Sequence, residues 1–138
     1  MSTRAVFCFT SHGETHYVYK HFDGYAEGAA AAIQEVFDCS LSWELPRFEA
    51  DEFAAAFVSA NKRSPGGIRL ISNGNIPDDV AFVYQICQAK NGQLIISQWY
   101  ADAFKARQEN VAAKTPKPLF YGRLKDFIKL NLVQIPEL

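Results

Sequence analysis

The sequence predicts a single α+β domain over residues 1–138, with a mainly antiparallel sheet of about five strands, two helices packed on one face and a C-terminal helix. Three observations support this fold class. Two β-hairpin patterns lie on either side of two amphipathic helix patterns, hairpins rather than crossovers surround the helices, and 49% of the residues are hydrophobic. The expected order of elements is ββααβββα.

The first hairpin is predicted at the start of the chain. The segments Arg4 to Thr10 and Thr15 to Phe22 are rich in aromatic and β-branched residues, which favour strands. The four polar residues between them, from Ser11 to Glu14, include Gly13 and are typical of a tight turn.

The first helix is predicted to follow the pair Asp23-Gly24, which ends the second strand. We expect Asp23 to cap the helix and Glu27 to place a carboxylate in its first turn, where it suits the helix dipole. The residues from Gly28 to Ala32 are small, so this helix can lie close to another backbone. Its apolar face is formed by residues at helical spacing, namely Ala26, Ala29, Ala30, Ile33, Val36 and Phe37.

A second helix is predicted to open near Pro46 and the acidic residues Glu49, Asp51 and Glu52. It is expected to end before the segment Ser64 to Gly67. That Gly-Gly segment does not indicate a phosphate site, because a phosphate-binding loop lies between a strand and a helix, whereas here a helix precedes the loop. The core-facing residues of this helix are Phe53, Ala56, Phe57 and Ala60.

The remaining elements are a third strand, a second hairpin and a C-terminal helix; Ala101 to Ala113 is a further candidate short helix, which the order above does not include. The hairpin has the clearest pattern, because the turn residues Lys90 to Gly92 contain Asn-Gly, which tolerates positive φ at both positions. Prolines 116 and 118 indicate an extended or loop segment before the last helix. The predicted ranges are Ile68 to Ser72, Val80 to Gln88, Leu94 to Tyr100, Ala101 to Ala113 and Arg123 to Leu130.

Charge is distributed unevenly, although the net charge is only −1. Residues 21–57 contain eight acidic residues and one basic residue, whereas residues 101–129 contain seven basic and three acidic residues. The two predicted helices of the first half therefore form a candidate acidic surface for a basic protein partner or for self-association. Its candidate binding residues are Glu35, Asp38, Glu49, Asp51 and Glu52; Trp99 and Tyr100 form a candidate aromatic patch. Alternatively, the charged faces are ordinary solvated faces whose opposite charges neutralise each other in the fold. The alternative for the two aromatic residues is that they close the edge of a core.

The segment His21 to Gly28, with the sequence HFDGYAEG, resembles a motif of the form H-x-D-G-Y-P-E-G. This motif is found in an uncharacterised family of short phage and prophage proteins, in which proline is usual at the position of Ala26. A looser similarity covers Phe48 to Phe53 and the ending at Gly122, Leu124 and Phe127. The resemblance implies a phage or prophage setting and implies no catalytic activity. We therefore expect a non-catalytic binding or accessory protein.

The alternative function is a small enzyme with an acid/base site at the junction between the second strand and the first helix. His21 would act as the general base and Asp23 would orient it, with Tyr25 or Glu27 assisting. The sequence offers no clear nucleophile beside these residues and no phosphate cradle.

Several other classes of protein are disfavoured. Cys8, Cys39 and Cys87 are odd in number and lack CxxC spacing, while His16 and His21 point to opposite faces of a strand, so neither a metal nor another cofactor is expected. The chain has no run of 18 apolar residues and no basic start before an apolar segment, which predicts no membrane span and a cytoplasmic location. The net charge does not favour nucleic-acid binding, although a basic patch within residues 105–129 stays open.

Overall fold

The computed structural model describes residues 2–39, 48–72, 74–109 and 116–132. Within these ranges the chain forms six strands and four helices. The strands are β1 (Ala5–Ser11), β2 (Glu14–Lys20), β3 (Ile68–Ile71), β4 (Phe82–Gln88), β5 (Leu94–Tyr100) and β6 (Phe120–Arg123). The helices are α1 (Ala26–Asp38), α2 (Ala50–Asn61), α3 (Ala101–Gln108) and α4 (Leu124–Asn131).

The strands form one mixed sheet in the order β3-β2-β1-β4-β5-β6. Both predicted hairpins are present, and all neighbouring strands are antiparallel except the central pair. At the centre, β1 lies parallel to β4, with Ala5 opposite Phe82 and Phe9 opposite Ile86. This parallel seam, the pairing of β1 with β4, joins the two hairpins into a continuous sheet.

The α+β class is confirmed, and four of the five strand pairings are antiparallel, in keeping with the predicted mainly antiparallel sheet. Three details differ from the prediction: the sheet has six strands rather than about five, its central pair is parallel so that the sheet is mixed, and the observed order adds α3 and β6 to the predicted ββααβββα. Turn signals specify which strands pair locally, but they do not specify how one hairpin lies beside another. The additional strand, β6, has only four residues and follows two prolines, so its period-two pattern is too short to indicate a strand.

Both hairpins turn at the residues that their sequences predict, although in the second turn Gly92 has positive φ and Asn91 does not. His12 and Gly13 have φ angles of 50° and 80°, which a two-residue turn matching the strand twist requires. In the second hairpin Gly92 has a φ of 87°, and the Ala89 amide donates to the Gln93 carbonyl at 2.8 Å. Helix α3 ends at Gln108 rather than Ala113, and residues 110–115 lie outside the described ranges, as does Pro46.

The sheet is covered on both faces, as the apolar character of its central strands requires. Helices α1 and α2 pack over one face, and α4 lies on the same side, next to α1, β5 and β6. On this face Phe57 is fully buried, with its ring centroid 4.6 Å from Phe7 and 5.5 Å from Phe9. Helix α3 and the segment containing Ile76 and Val80 cover part of the opposite face. Among the described helices, none is long and apolar enough to cross a bilayer.

Candidate functional site

The junction between β2 and α1 is a tightly packed turn. Asp23 has a φ of 54°, a left-handed conformation that aspartate tolerates better than most residues. Gly24 is buried against the first residue of β1, and a Cβ at this position would lie 2.7 Å from the Ala5 Cβ. Its amide donates to the Thr3 carbonyl at 2.8 Å, and its carbonyl accepts from the Tyr84 hydroxyl at 2.7 Å. The motif residues therefore have a structural explanation in the path of the backbone.

Gly28 extends this close packing into the first turn of α1. A Cβ built on Gly28 would lie 2.7 Å from the carbonyl carbon of Asp23 and still closer to the carbonyl oxygen. No side chain fits at that separation, because real Cβ atoms do not approach backbone atoms this closely. The small residues at the start of the helix thus allow the turn at Asp23 to lie directly against α1.

Asp23 does not cap α1, contrary to the sequence prediction. The N-cap residue is Tyr25, which makes no side-chain capping bond, and the Asp23 carboxylate instead accepts a hydrogen bond from the Tyr25 hydroxyl at 3.3 Å. The negative charge of Asp23 raises the pKa of Tyr25, so the phenol stays protonated and remains a donor. Glu27 does lie in the first turn of the helix, as predicted.

His21 points away from the other candidate acid/base residues. Its Nδ1 is 2.8 Å from the Tyr19 hydroxyl, and its ring lies edge-on to Phe22 at a centroid distance of 4.6 Å. In the described part of the chain, its side chain makes no hydrogen bond with Asp23 or Glu27. The structure therefore gives His21 an aromatic partner in place of the expected orienting carboxylate.

The other three candidates line one shallow pocket of about 320 Å³ at the start of α1. Asp23, Tyr25 and Glu27 share this pocket with Lys20 and Glu35, whereas His21 does not line it. Burial lowers the pKa of the Lys20 amine, and the neighbouring Asp23 carboxylate opposes that shift. The pocket thus combines three carboxylates with one lysine, which suits a cationic group better than proton transfer.

Helices α1 and α2 pack against each other, and together they carry five exposed carboxylates. The Asn61 side-chain amide, at the end of α2, donates to the Ala32 carbonyl of α1 at 2.9 Å and fixes the two helices together. Neither helix contains a lysine or arginine. The name acidic surface is used below for the exposed carboxylates of the two helices, which are Glu27, Glu35, Asp38, Asp51 and Glu52. Glu49 lies just before α2 and is only partly exposed.

Basic residues of the second half of the chain do not neutralise this surface in the described ranges. Lys105 pairs with Asp78 at 3.1 Å, and Arg123 pairs with Asp126 at 2.7 Å. Lys20 lines the pocket that contains Glu27 and Glu35, and Arg63, immediately beyond α2, lies 3.9 Å from Glu35. A pair this exposed and this long contributes little to stability. The negative charge of the two helices is therefore available to solvent or to a partner.

The predicted aromatic patch does not exist as a single surface. Trp99 is only 5% exposed and packs near Phe104 under α3, whereas Tyr100 is 57% exposed and stacks on Phe82. Adjacent residues of a strand point to opposite faces, which separates the two side chains. The polar groups beside Trp99 were not predicted: its Nε1 donates to the Ser97 hydroxyl, which in turn donates to Gln85. The i, i+2 spacing of Ser97 and Trp99 does indicate that they share a face.

Within the described ranges, no three histidine, cysteine, aspartate or glutamate side chains are grouped closely enough to hold a metal ion. Comparison with known protein families, with curated proteins and with solved structures finds no match to this chain.

The conformation of Asp23 allows a direct test of whether the junction serves the fold. We expect Asp23→Ala to lower the free energy of unfolding by about 1 kcal/mol, because alanine disfavours positive φ. For a chain of this size the melting temperature then falls by about 4 °C. Asp23→Gly removes the same carboxylate but accepts the conformation, so it should melt within about 2 °C of the wild type. Equal losses in both variants would show that the carboxylate matters rather than the backbone.

Proposed function

We propose that this protein is a non-catalytic binding protein of phage or prophage type, which presents its acidic surface to a basic protein partner. The observation that carries the proposal is the concentration of five exposed carboxylates on two packed helices that contain no lysine or arginine. The phage or prophage setting rests on the similarity of residues 21–28 to the motif described above. A cytoplasmic location belongs to the same proposal.

The shape of the acidic surface supports a protein partner with long basic side chains. A shallow groove of about 220 Å³ runs between α1 and α2, bordered by Glu52 and lined by small residues such as Ala55 and Ser59. Lysine and arginine have apolar stems and charged ends, so their stems can lie on the small residues while their charges reach Glu52 and its neighbours. Two copies of this surface would repel each other, which favours a different protein over self-association.

Electrostatic attraction of this kind accelerates encounter and weakens with ionic strength. Charges separated by more than about 8 Å are largely screened at physiological salt, whereas partner contacts at the surface are closer than this. We therefore expect the protein to associate with its partner rapidly at low salt and more slowly at high salt.

We do not extend the proposal to catalysis at the junction. His21 bonds to Tyr19 and does not line the pocket that contains Asp23, Tyr25 and Glu27. Among the described residues, no carboxylate contacts its ring to orient it as a general base.

The test compares a variant that neutralises the acidic surface with a matched control. The variant carries Glu35→Gln, Asp38→Asn and Glu52→Gln; the control removes three exposed carboxylates elsewhere through Glu14→Gln, Asp102→Asn and Glu109→Gln. Proteins captured by the tagged wild type from a bacterial extract are identified by mass spectrometry, and the affinity of each purified partner is then measured by calorimetry. We expect the variant to bind roughly tenfold more weakly than the wild type, with the control unchanged.

Two results would contradict the proposal. One is that the captured partner binds the variant and the wild type with equal affinity. The other is that affinity is independent of salt between low and high ionic strength, since a contact between opposite charges must weaken as salt is added.

A further inference from the structure

The face of the sheet opposite α1 and α2 contains a large concavity. Helix α3 covers only part of this face, and beyond it lies a groove of about 630 Å³. Strands β4 and β5 form the floor, Arg107 of α3 forms one wall, and Pro116, Pro118 and Tyr121 form the other. Small-molecule sites have volumes of about 300–1,000 Å³, so the groove is of suitable size.

Arg107 is held in place by two contacts. Its guanidinium lies 4.8 Å above the centre of the Trp99 ring, and its Nη1 donates to the Gln85 Oε1 at 3.2 Å. Stacking on an aromatic ring and a hydrogen bond to an amide together fix the plane of the guanidinium. Its other N–H groups remain available to a ligand.

The support beneath Arg107 is itself a connected polar network. Trp99 Nε1 donates to the Ser97 hydroxyl at 2.9 Å, and that hydroxyl donates to Gln85 Oε1 at 3.4 Å. Ser97 and Trp99 are only 6% and 5% exposed. A buried network of this kind has one arrangement, so Gln85 and Arg107 keep their positions before any ligand arrives.

The charge of Arg107 is not matched by a carboxylate. In the described ranges, Arg4, Arg63, Lys105 and Arg123 each lie within 4 Å of an acidic side chain, but Arg107 does not. Its partners are a neutral ring and a neutral amide. An oriented cation without a counter-charge at the wall of a mostly apolar groove favours an anionic ligand.

We propose that this groove binds a small organic anion, a carboxylate carried on a flat apolar body. The carboxylate accepts hydrogen bonds from Arg107, because the planar guanidinium matches the geometry of two carboxylate oxygens. The flat body lies on the pleated floor beside Ile95, between the sheet and the wall formed by Pro118 and Tyr121. A single cation suits a monoanion better than a phosphate chain or a nucleic acid, which need several positive charges.

The test uses 1-naphthoate and the uncharged 1-naphthalenemethanol as probes in calorimetry. We expect saturable 1:1 binding of naphthoate with a dissociation constant below about 1 mM, and roughly tenfold weaker binding of the alcohol. Arg107→Gln should weaken naphthoate binding roughly tenfold without affecting the alcohol. The matched control is Lys105→Gln, which removes one positive charge from the same helix outside the groove and should bind naphthoate like the wild type.

Cys87 locates the bound probe independently of affinity. Its thiol is exposed and lines the groove, whereas Cys8 is fully buried. Naphthoate should therefore slow the reaction of Cys87 with N-ethylmaleimide, followed by mass spectrometry of the labelled peptide. The proposal is overturned if the wild type shows no saturable binding, if Arg107→Gln binds naphthoate as the wild type does, or if bound naphthoate leaves the Cys87 reaction unchanged.

Discussion

Gly28→Ala is expected to lower the free energy of unfolding by about 3 kcal/mol, which corresponds to a fall of about 12 °C in melting temperature. Helix propensity alone predicts the opposite, because alanine is favoured over glycine by about 1 kcal/mol in a helix. The loss arises because the new Cβ would lie 2.7 Å from the carbonyl carbon of Asp23 and 2.8 Å from its Cβ. Both the turn and the helix are anchored to the sheet, so neither can move away without losing contacts.

Gly67→Ala is the matched control for this experiment. A Cβ at Gly67 would meet the Ser64 hydroxyl at 3.2 Å, and that side chain can rotate away. We expect a change of less than about 1 kcal/mol, measured by thermal and urea unfolding of both variants. A Gly28→Ala protein as stable as the wild type would show that α1 does not lie against the turn as described.

Tyr84→Phe is expected to cost about 2 kcal/mol, or about 8 °C in melting temperature. The Tyr84 hydroxyl donates to the Gly24 carbonyl at 2.7 Å and accepts from the Gln98 amide at 3.2 Å. Both partners are buried, so the substitution leaves an acceptor and a donor without hydrogen bonds inside the protein. Tyr100→Phe is the control, since that side chain is 57% exposed and should change stability by less than about 0.5 kcal/mol.

Tyr84 also makes the stability of the protein depend on pH. Burial raises the pKa of Tyr84 above its ordinary value of 10.0. Above pH 10 the unfolded chain releases this proton while the folded protein keeps it, so stability falls by up to about 1.4 kcal/mol per pH unit. Tyr84→Phe should lose this contribution and show a shallower decline above pH 10, whereas Tyr100→Phe should decline like the wild type. Parallel declines in all three proteins would contradict the buried position of Tyr84.

Local sequence signals predicted the elements whose determinants are neighbours in the chain. The turns at Gly13 and Gly92 specify hairpins through positive φ angles that glycine adopts readily. Helix α1 was predicted from the spacing of residues such as Ile33 and Val36, both fully buried. In each case the residues that determine the element lie close together in the sequence.

The candidate site was harder to predict, because its geometry depends on residues distant in sequence. His21 and Asp23 are two positions apart, but the positive φ of Asp23 directs them to different surroundings. Arg107 meets Gln85 across 22 positions, through the packing of α3 on the sheet. No periodicity in the sequence encodes such a contact, whereas the acidic residues of α1 and α2 could be counted directly in the sequence.

The parallel seam makes the two halves of the sheet depend on each other. Strands β1 and β4 occupy the centre of the sheet, yet they come from opposite ends of a segment that also contains both large helices. A fragment ending before residue 73 would retain three strands and leave the seven-residue β1 with one unpaired backbone edge. The complementary fragment would expose β4 in the same way and would lack the covering helices α1 and α2. Each fragment would expose a strand edge that pairs with the other fragment in the intact sheet. We therefore expect the separate fragments to aggregate and the mixed fragments to reassemble into the complete sheet.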